Sequence, residues 1–270
     1  NLISEETITY KAGTAISSEE DFIKFMEGNA PFDDRSNTSN YVITKNLNLD
    51  SFPAAEVTPD KFYGVLDGDF HTISHLKNPV TSQISGSIDD AAEIKNLIIS
   101  NISVENYSGV IAGDSAFKNV KASKLFMVDA SIHGHAGGMI FANGEVYNQG
   151  ESLTLDEIGT ARGIFDMAGP GVSSGGLVGW VGGPSTNVHF NNCFMVGNEI
   201  KIGSRSAVGG LIRGSAIVKN SYSAGKYIYP SDAFAIGAIA AQPLLAGSEN
   251  NYYDKVKLPA TNLADAGQVI

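Results

Sequence analysis

Asp67, Asp69, His71 and His75 fall within one short stretch, and carboxylates beside imidazoles are the groups that move protons or ligate metals. His133 and His135 alternate, which on a strand puts both rings on one face as in a zinc site, yet no third ligand stands nearby. The His-Glu-x-x-His helix of metallopeptidases is absent, and neither Gly203-Ser204-Arg205-Ser206 nor Gly214-Ser215 forms a serine-nucleophile elbow. Glycoside hydrolysis needs two carboxylates about 5 to 10 Å apart. Asp114, Asp129, Asp156, Glu157 and Asp166 are available, but no repeat register pairs them. No Lys or Arg base stands beside an acidic cluster, as a lyase would need. We therefore expect no catalytic residue, no metal and no cofactor, and give the residues at 67–75 a structural role. Cys193, the one cysteine, excludes an internal disulfide and reads as a small buried residue.

Binding is the better use of the remaining chemistry. The interval from Asn143 to Gly175 is the longest between recurring anchors, and long loops on a rigid scaffold tend to carry ligands. It holds Tyr147, Glu151, Asp156, Glu157, Arg162 and Asp166, with a helical turn expected over Thr154 to Ile158. Towards the C-terminus Tyr222, Tyr227, Tyr229, Tyr252 and Tyr253 offer flat faces suited to sugar stacking or protein contact. The candidate ligand-binding residues are Tyr147, Arg162, Asp166, Tyr222, Tyr227, Tyr229 and Tyr253.

What must position them is a repeated strand unit. In the stretch from Phe62 to Ile73, Leu66, Phe70 and Ile73 are apolar, Val65 and Thr72 are β-branched, and Asp67-Gly68 predicts a tight turn between two strands. Before it comes a strand over residues 7 to 16. A short amphipathic helix follows, with Ser17 as N-cap, Phe22, Ile23, Phe25 and Met26 as its apolar side, and Gly28-Asn29 as its stop. This helix is expected to cover one end of a sheet stack. Tyr41 to Thr44 and Ile94 to Ile99 read as further strands.

Beyond residue 100 a glycine-aliphatic unit recurs, starting at Gly109, Gly138, Gly176, Gly210 and Gly237, with spacings of 29, 38, 34 and 27. An Asn follows in most copies, at Asn119, Asn192, Asn220 and Asn251, which aligns Cys193, Ser221 and Tyr252 in one column and Phe194, Tyr222 and Tyr253 in the next. Stacked coils of a parallel β-helix place equivalent side chains over one another at about 4.8 Å, so Asn ladders and aromatic columns have a cause. A β-sandwich would need two-residue hairpin turns throughout, and only Asp67-Gly68 offers one.

The pattern Phe-x-Gly-x-Leu-Asp-Gly-x-x-His-Thr-Ile at 62–73, with Gly-Leu-Val-Gly at 176–179, resembles the GLUG-repeat proteins of bacterial surfaces. That family includes adhesin-like proteins and the non-catalytic repeat regions of IgA-cleaving metalloproteases. The resemblance spans roughly residues 7 to 255 and implies a right-handed, pectate-lyase-like β-helix. The copies at Gly138 and Gly237 lack the motif's second glycine, and no catalytic residue carries over.

Composition bounds the rest. With 43% hydrophobic residues in 270, the chain can bury a core, and thirty glycines signal many turns. A net charge of -11 and no strong Lys/Arg cluster argue against a nucleic-acid partner. No run matches a spanning helix, so no membrane insertion is expected, and Asn1 to Glu6 lacks the features of a signal peptide. The expected architecture is all-β: a right-handed parallel β-helix solenoid with an N-terminal strand and capping helix over 1–40, coils over 41–259 and a tail or linker over 260–270. The expected function is a non-enzymatic, extracellular or cell-surface, adhesin-like module. It would bind a host or environmental glycan or a surface protein, or act as a spacer, within a longer polypeptide. A polysaccharide-degrading enzyme and a viral tail-spike component are the alternatives.

Overall fold

The computed structural model describes residues 13–53, 57–87, 89–105, 109–117, 119–133, 138, 140–145, 151–167, 173–182, 185–233, 235–254 and 268–269. The chain enters with β1 (Thr14–Ile16), α1 (Glu19–Glu27), β2 (Asn40–Ile43), β3 (Leu47–Asn48) and β4 (Lys61–Phe62). β5 (Val65–Asp67), β6 (Thr72–Ser74), β7 (Thr81–Ser85), β8 (Ala92–Glu105), β9 (Ala112–Phe117), β10 (Val120–His133) and β11 (Phe141–Glu145) follow. Then come β12 (Leu153–Ala161), β13 (Ile164–Met167), β14 (Ser173–Gly175), β15 (Val178–Gly182), β16 (Val188–Asn191), β17 (Phe194–Ile202) and β18 (Ala207–Gly209). The last are β19 (Ile217–Lys219), β20 (Tyr222–Ile228), β21 (Ala235–Gly237), β22 (Tyr252–Tyr253) and β23 (Gln268–Val269).

These strands form three sheets whose pairings are all parallel. The largest has 15 strands, ten of them along a path β1-β2-β5-β8-β10-β12-β17-β20-β22-β23 with β3, β6, β13, β16 and β19 pairing beside it; the second runs β15-β11-β9-β7-β4 and the third β14-β18-β21. After one to three strands in the large sheet the chain passes through the second or third sheet and comes back, and each return to the large sheet lies beside the previous visit. Leu66, Ile94, Ala122, Leu155, Phe190 and Val218 thus follow one another strand to strand. All six are fully buried, and each large aliphatic side chain so removed from water contributes about 1.5–3 kcal/mol. One core cluster runs from Ile16 to Tyr253.

The helix begins one residue later than expected. Ser18 is the N-cap, its Oγ accepting from Asp21 N–H, while Asp21 Oδ2 accepts from Ser17 N–H. Gly28 ends it at φ 67°. Phe25 packs against Tyr41 and Phe62 with ring centroids 5.2 and 5.4 Å away. The Arg35 guanidinium lies over Phe25 and Phe62 and donates to Phe25 O and Lys61 O. The helix therefore covers the ends of the sheets at β1 and β4.

Several expectations are corrected. Asp67-Gly68 is not a hairpin turn: β5 and β6 both pair in parallel with β8, and the left-handed residues are Asp69 and Phe70. Asp67 Oδ1 caps Asp69 N–H and accepts from Asn96 Nδ2. Thr154 to Ile158 lies inside β12 rather than in a helical turn, and the described part of the 143–175 interval is largely strand. In the expected linker, Gln268–Val269 pairs with β22. Of the expected strand over 7–16, residues 7–12 lie outside the described residues, and the strand seen is β1.

The repeat register also shifts. Strand pairing makes Gly175, Gly209 and Gly237 equivalent, so Gly176 and Gly210 run one residue out of step with Gly237. At each of the three a Cβ would overlap the carbonyl oxygen three residues on, that of Val178, Ile212 and Ala240. Only glycine allows that close approach. Asn250, not Asn251, continues the Asn192–Asn220 column, because Phe194 pairs with Tyr222 and Tyr222 with Tyr252. Asn119 immediately precedes β10, which pairs from Val120 with Leu153, so it stands at a different corner.

Candidate functional site

Two columns of left-handed residues divide the large sheet. Phe70, Asn96, Lys124, Glu157 and Asn192 form the first, and His75, Asn101, Asp129, Arg162 and Gly197 the second, all with φ between 52° and 66°. In each of these five levels the two bends are five residues apart, so they enclose a flat panel of four residues. Asn220 and Asn250 continue the first column. Asn tolerates this conformation best among residues with a side chain, and Asn250 Nδ2 donates to Asn220 Oδ1 at 3.0 Å.

Within the panel, alternation sends two residues per level inward and two outward. Inward, Leu97, Leu125, Ile158, Cys193, Ser221 and Asn251 change from aliphatic to polar along the stack. The polar end is satisfied internally: Cys193 N–H donates to Ser221 Oγ and Ser221 N–H to Asn251 Oδ1. Burial pushes the Cys193 thiol up to about 12. Outward, Ile98, Phe126, Gly159, Phe194, Tyr222 and Tyr252 are successive partners. Phe126, Phe194 and Tyr252 are 36%, 37% and 36% exposed. Gly159 is buried because the Phe194 ring lies where its side chain would be. That ring reaches Phe126, with centroids 6.0 Å apart. Val128, Ala161 and Val196 form the second outward column, Val196 being exposed.

The borders are ionic and internally paired. Arg162 and Asp129 form a two-point pair at 2.8 Å, which holds the Asp129 carboxyl below its ordinary range and the guanidinium above its own. Lys201 pairs with Asp166, Lys226 with Glu199, Lys219 with Glu249, and Lys95 and Lys121 with Glu93.

The expected ligand residues therefore separate. Tyr222 stands in the outward column. Arg162 and Asp166 are exposed or half-buried beside the panel, each tied to its ionic partner. Tyr227 and Tyr253 point inward and are buried, Tyr227 Oη meeting Ser223 Oγ at 2.9 Å, and Tyr229 packs against the core. Alternation along β20 and β22 accounts for this, since Tyr222 and Tyr227 stand on opposite faces. Tyr147 lies outside the described residues. Phe126, Phe194 and Tyr252 complete the column; Phe194 and Tyr222 were legible from the Asn alignment, whereas Phe126 was not.

The groups considered for chemistry stand apart. His75 Nδ1 is 3.0 Å from Asn48 Oδ1, and His133 Nε2 is 3.1 Å from Ser131 Oγ; His135 lies outside the described residues. Among the described residues no three His, Cys, Asp or Glu side chains gather as a metal site. No described helix is long and apolar enough to cross a membrane.

No family profile matches this chain, and no curated protein matches it. Among solved structures it is similar to a candidate immunoglobulin A1 protease from Bacteroides ovatus, with a TM-score of 0.73 and 16% identity over 97% of this chain and 83% of that one. At that identity the likeness concerns the fold alone.

Proposed function

We propose that the chain is a right-handed parallel β-helix of the GLUG-repeat kind, serving as a non-enzymatic, adhesin-like binding module outside the cell or at its surface. Support for the helical winding comes from three parallel sheets to which the chain returns repeatedly and from bends that recur at the same level of successive strands. Its hand follows the general preference for right-handed crossovers.

One observation carries the binding role: the outward column Phe126, Phe194, Tyr222 and Tyr252 on a rigid sheet. Rings left half in water along a continuous line are a common mark of a contact surface. The partner is a glycan or a surface protein, and the module is part of a longer polypeptide. Size-exclusion chromatography with light scattering, run alone and with acidic and neutral polysaccharides, tests this. Co-elution with an intact polymer is expected. A shortened polymer would replace the reading with a polysaccharide-degrading enzyme, and an intertwined trimer would replace it with a tail-spike.

A further inference from the structure

From the outward face of the panel we infer that its ligand is a neutral, unbranched polysaccharide lying perpendicular to the strands, with the Phe126–Phe194 ring pair as its main sugar platform. The inference rests on the binding-module reading above and narrows the ligand class.

Charge decides first. From β6 to β22 the outward panel positions are Thr72, Ser74, Ile98, Ser100, Phe126, Val128, Gly159, Ala161, Phe194, Val196, Tyr222, Ala224, Tyr252 and, level with Ala224, Asp254; none is basic, and Asp254, the one charged side chain among them, is acidic and repels a polyanion. The bordering cations Lys95, Lys121, Arg162, Lys201, Lys219 and Lys226 are already held by carboxylates. The exposed Lys124 shares its bend column with Glu157 one level on. A polyanion would have to displace these pairs, and the chain's net charge of -11 adds repulsion.

Shape decides next. The panel is two outward side chains wide, roughly 7 Å at the strand rise, so its whole run from β6 to β22 offers only about 200 Å², far short of the roughly 800 Å² a side that a stable protein interface buries. Phe126 to Tyr252 spans four strand steps, about 19 Å at 4.8 Å each, which suits a run of a few sugar rings. The C–H face of a pyranose packs on an aromatic ring, while the amides of Asn192, Asn220 and Asn250 line one margin with neutral donors and acceptors for hydroxyls.

The test is native gel electrophoresis of the 270-residue chain through gels containing glucan, mannan, galactan or xylan, and in parallel polygalacturonate or hyaluronate. Wild type is compared with Phe126→Ala, Phe194→Ala, Gly159→Val and Arg162→Ala, each checked by circular dichroism. We expect retardation by at least one neutral polymer, weakened roughly tenfold in Kd by either ring deletion and by Gly159→Val, and unchanged by Arg162→Ala. Retardation by acidic polymers alone, or by neutral polymers but indifferent to the three panel variants, overturns the inference and leaves the module reading standing. No retardation by any polymer overturns the inference; release of reducing ends in the same mixtures would overturn the module reading as well.

Discussion

Gly159 lies beneath the ring of Phe194, its absent side chain leaving the gap through which that ring reaches Phe126. Gly159 has ordinary extended backbone, and what a side chain there would meet is the far end of a movable ring. Gly159→Val should therefore keep the fold, since a β-branched residue suits a strand. Its melting temperature should stay within about 4 °C of wild type, the scale of a change under 1 kcal/mol. Aromatic NMR should lose the Phe126–Phe194 contact. Unfolding of this variant would show that the ring is locked in place and the platform rigid.

The glycine column at Gly175, Gly209 and Gly237 behaves differently, because the obstacle is a backbone carbonyl. Gly209→Ala should cost about 3 kcal/mol in urea denaturation, at the upper end of overpacking effects. Gly197 is the contrast: it is left-handed at φ 66° with nothing near its Cβ position. Gly197→Ala should cost only about 1 kcal/mol, the left-handed penalty alone, and Gly197→Asn less. Equal costs at Gly209 and Gly197 would contradict the steric account.

The contrast also explains what the sequence concealed. β-Branched content exposed β8 over Ile94 to Ile99, although its alternation breaks at the left-handed Asn96, and spacing exposed α1 through Phe22, Phe25 and Met26, because one buried face imposes a period. Register was harder, since Gly175-Gly176 and Asn250-Asn251 each offer two equivalent anchors and only strand pairing selects one. The bends at Lys124, Glu157 and Arg162 carry no turn residue, as neighbouring strands hold them left-handed. Asp156-Glu157 thus read as helix although Glu157 is a bend within β12. Phe126 stayed hidden because Gly159 interrupts the aromatic column between it and Phe194, and no sequence alignment sees a ring leaning across that gap.

The Arg162–Asp129 pair predicts an acid dependence. The guanidinium's hydrogen bonds hold Asp129 below its usual value of 3.8, so folding favours the ionised carboxylate. This contribution is complete above about 3.8, shrinks as pH falls through that value, and is gone below the lowered folded pKa. Arg162→Ala should return the Asp129 carboxyl to the ordinary range in a carbon-detected NMR titration, and flatten the stability profile in that window. Both groups are exposed, so the effect should also shrink in high salt. An Asp129 titration indifferent to Arg162 would remove the pair from the account.

Cys193 predicts the opposite slope at alkaline pH. Its Sγ lies 3.3 Å from Asn191 O and 3.6 Å from Leu155 O, burial disfavours the thiolate, and its pKa is pushed up to about 12. The folded state therefore holds the thiol proton after the unfolded chain has released it at about 8.5. Stability is full below that value and falls as pH rises towards about 12. Native protein should resist iodoacetamide at pH 8 and react once unfolded in urea, because the thiolate is the nucleophile. Cys193→Ala should remove this part of the alkaline slope while leaving a small cavity costing about 1 kcal/mol. Rapid alkylation of the native chain would mean that the panel opens locally at Ile158 and Ser221, the neighbours of Cys193 in its inward column, and would move the weak point of the stack into the panel itself.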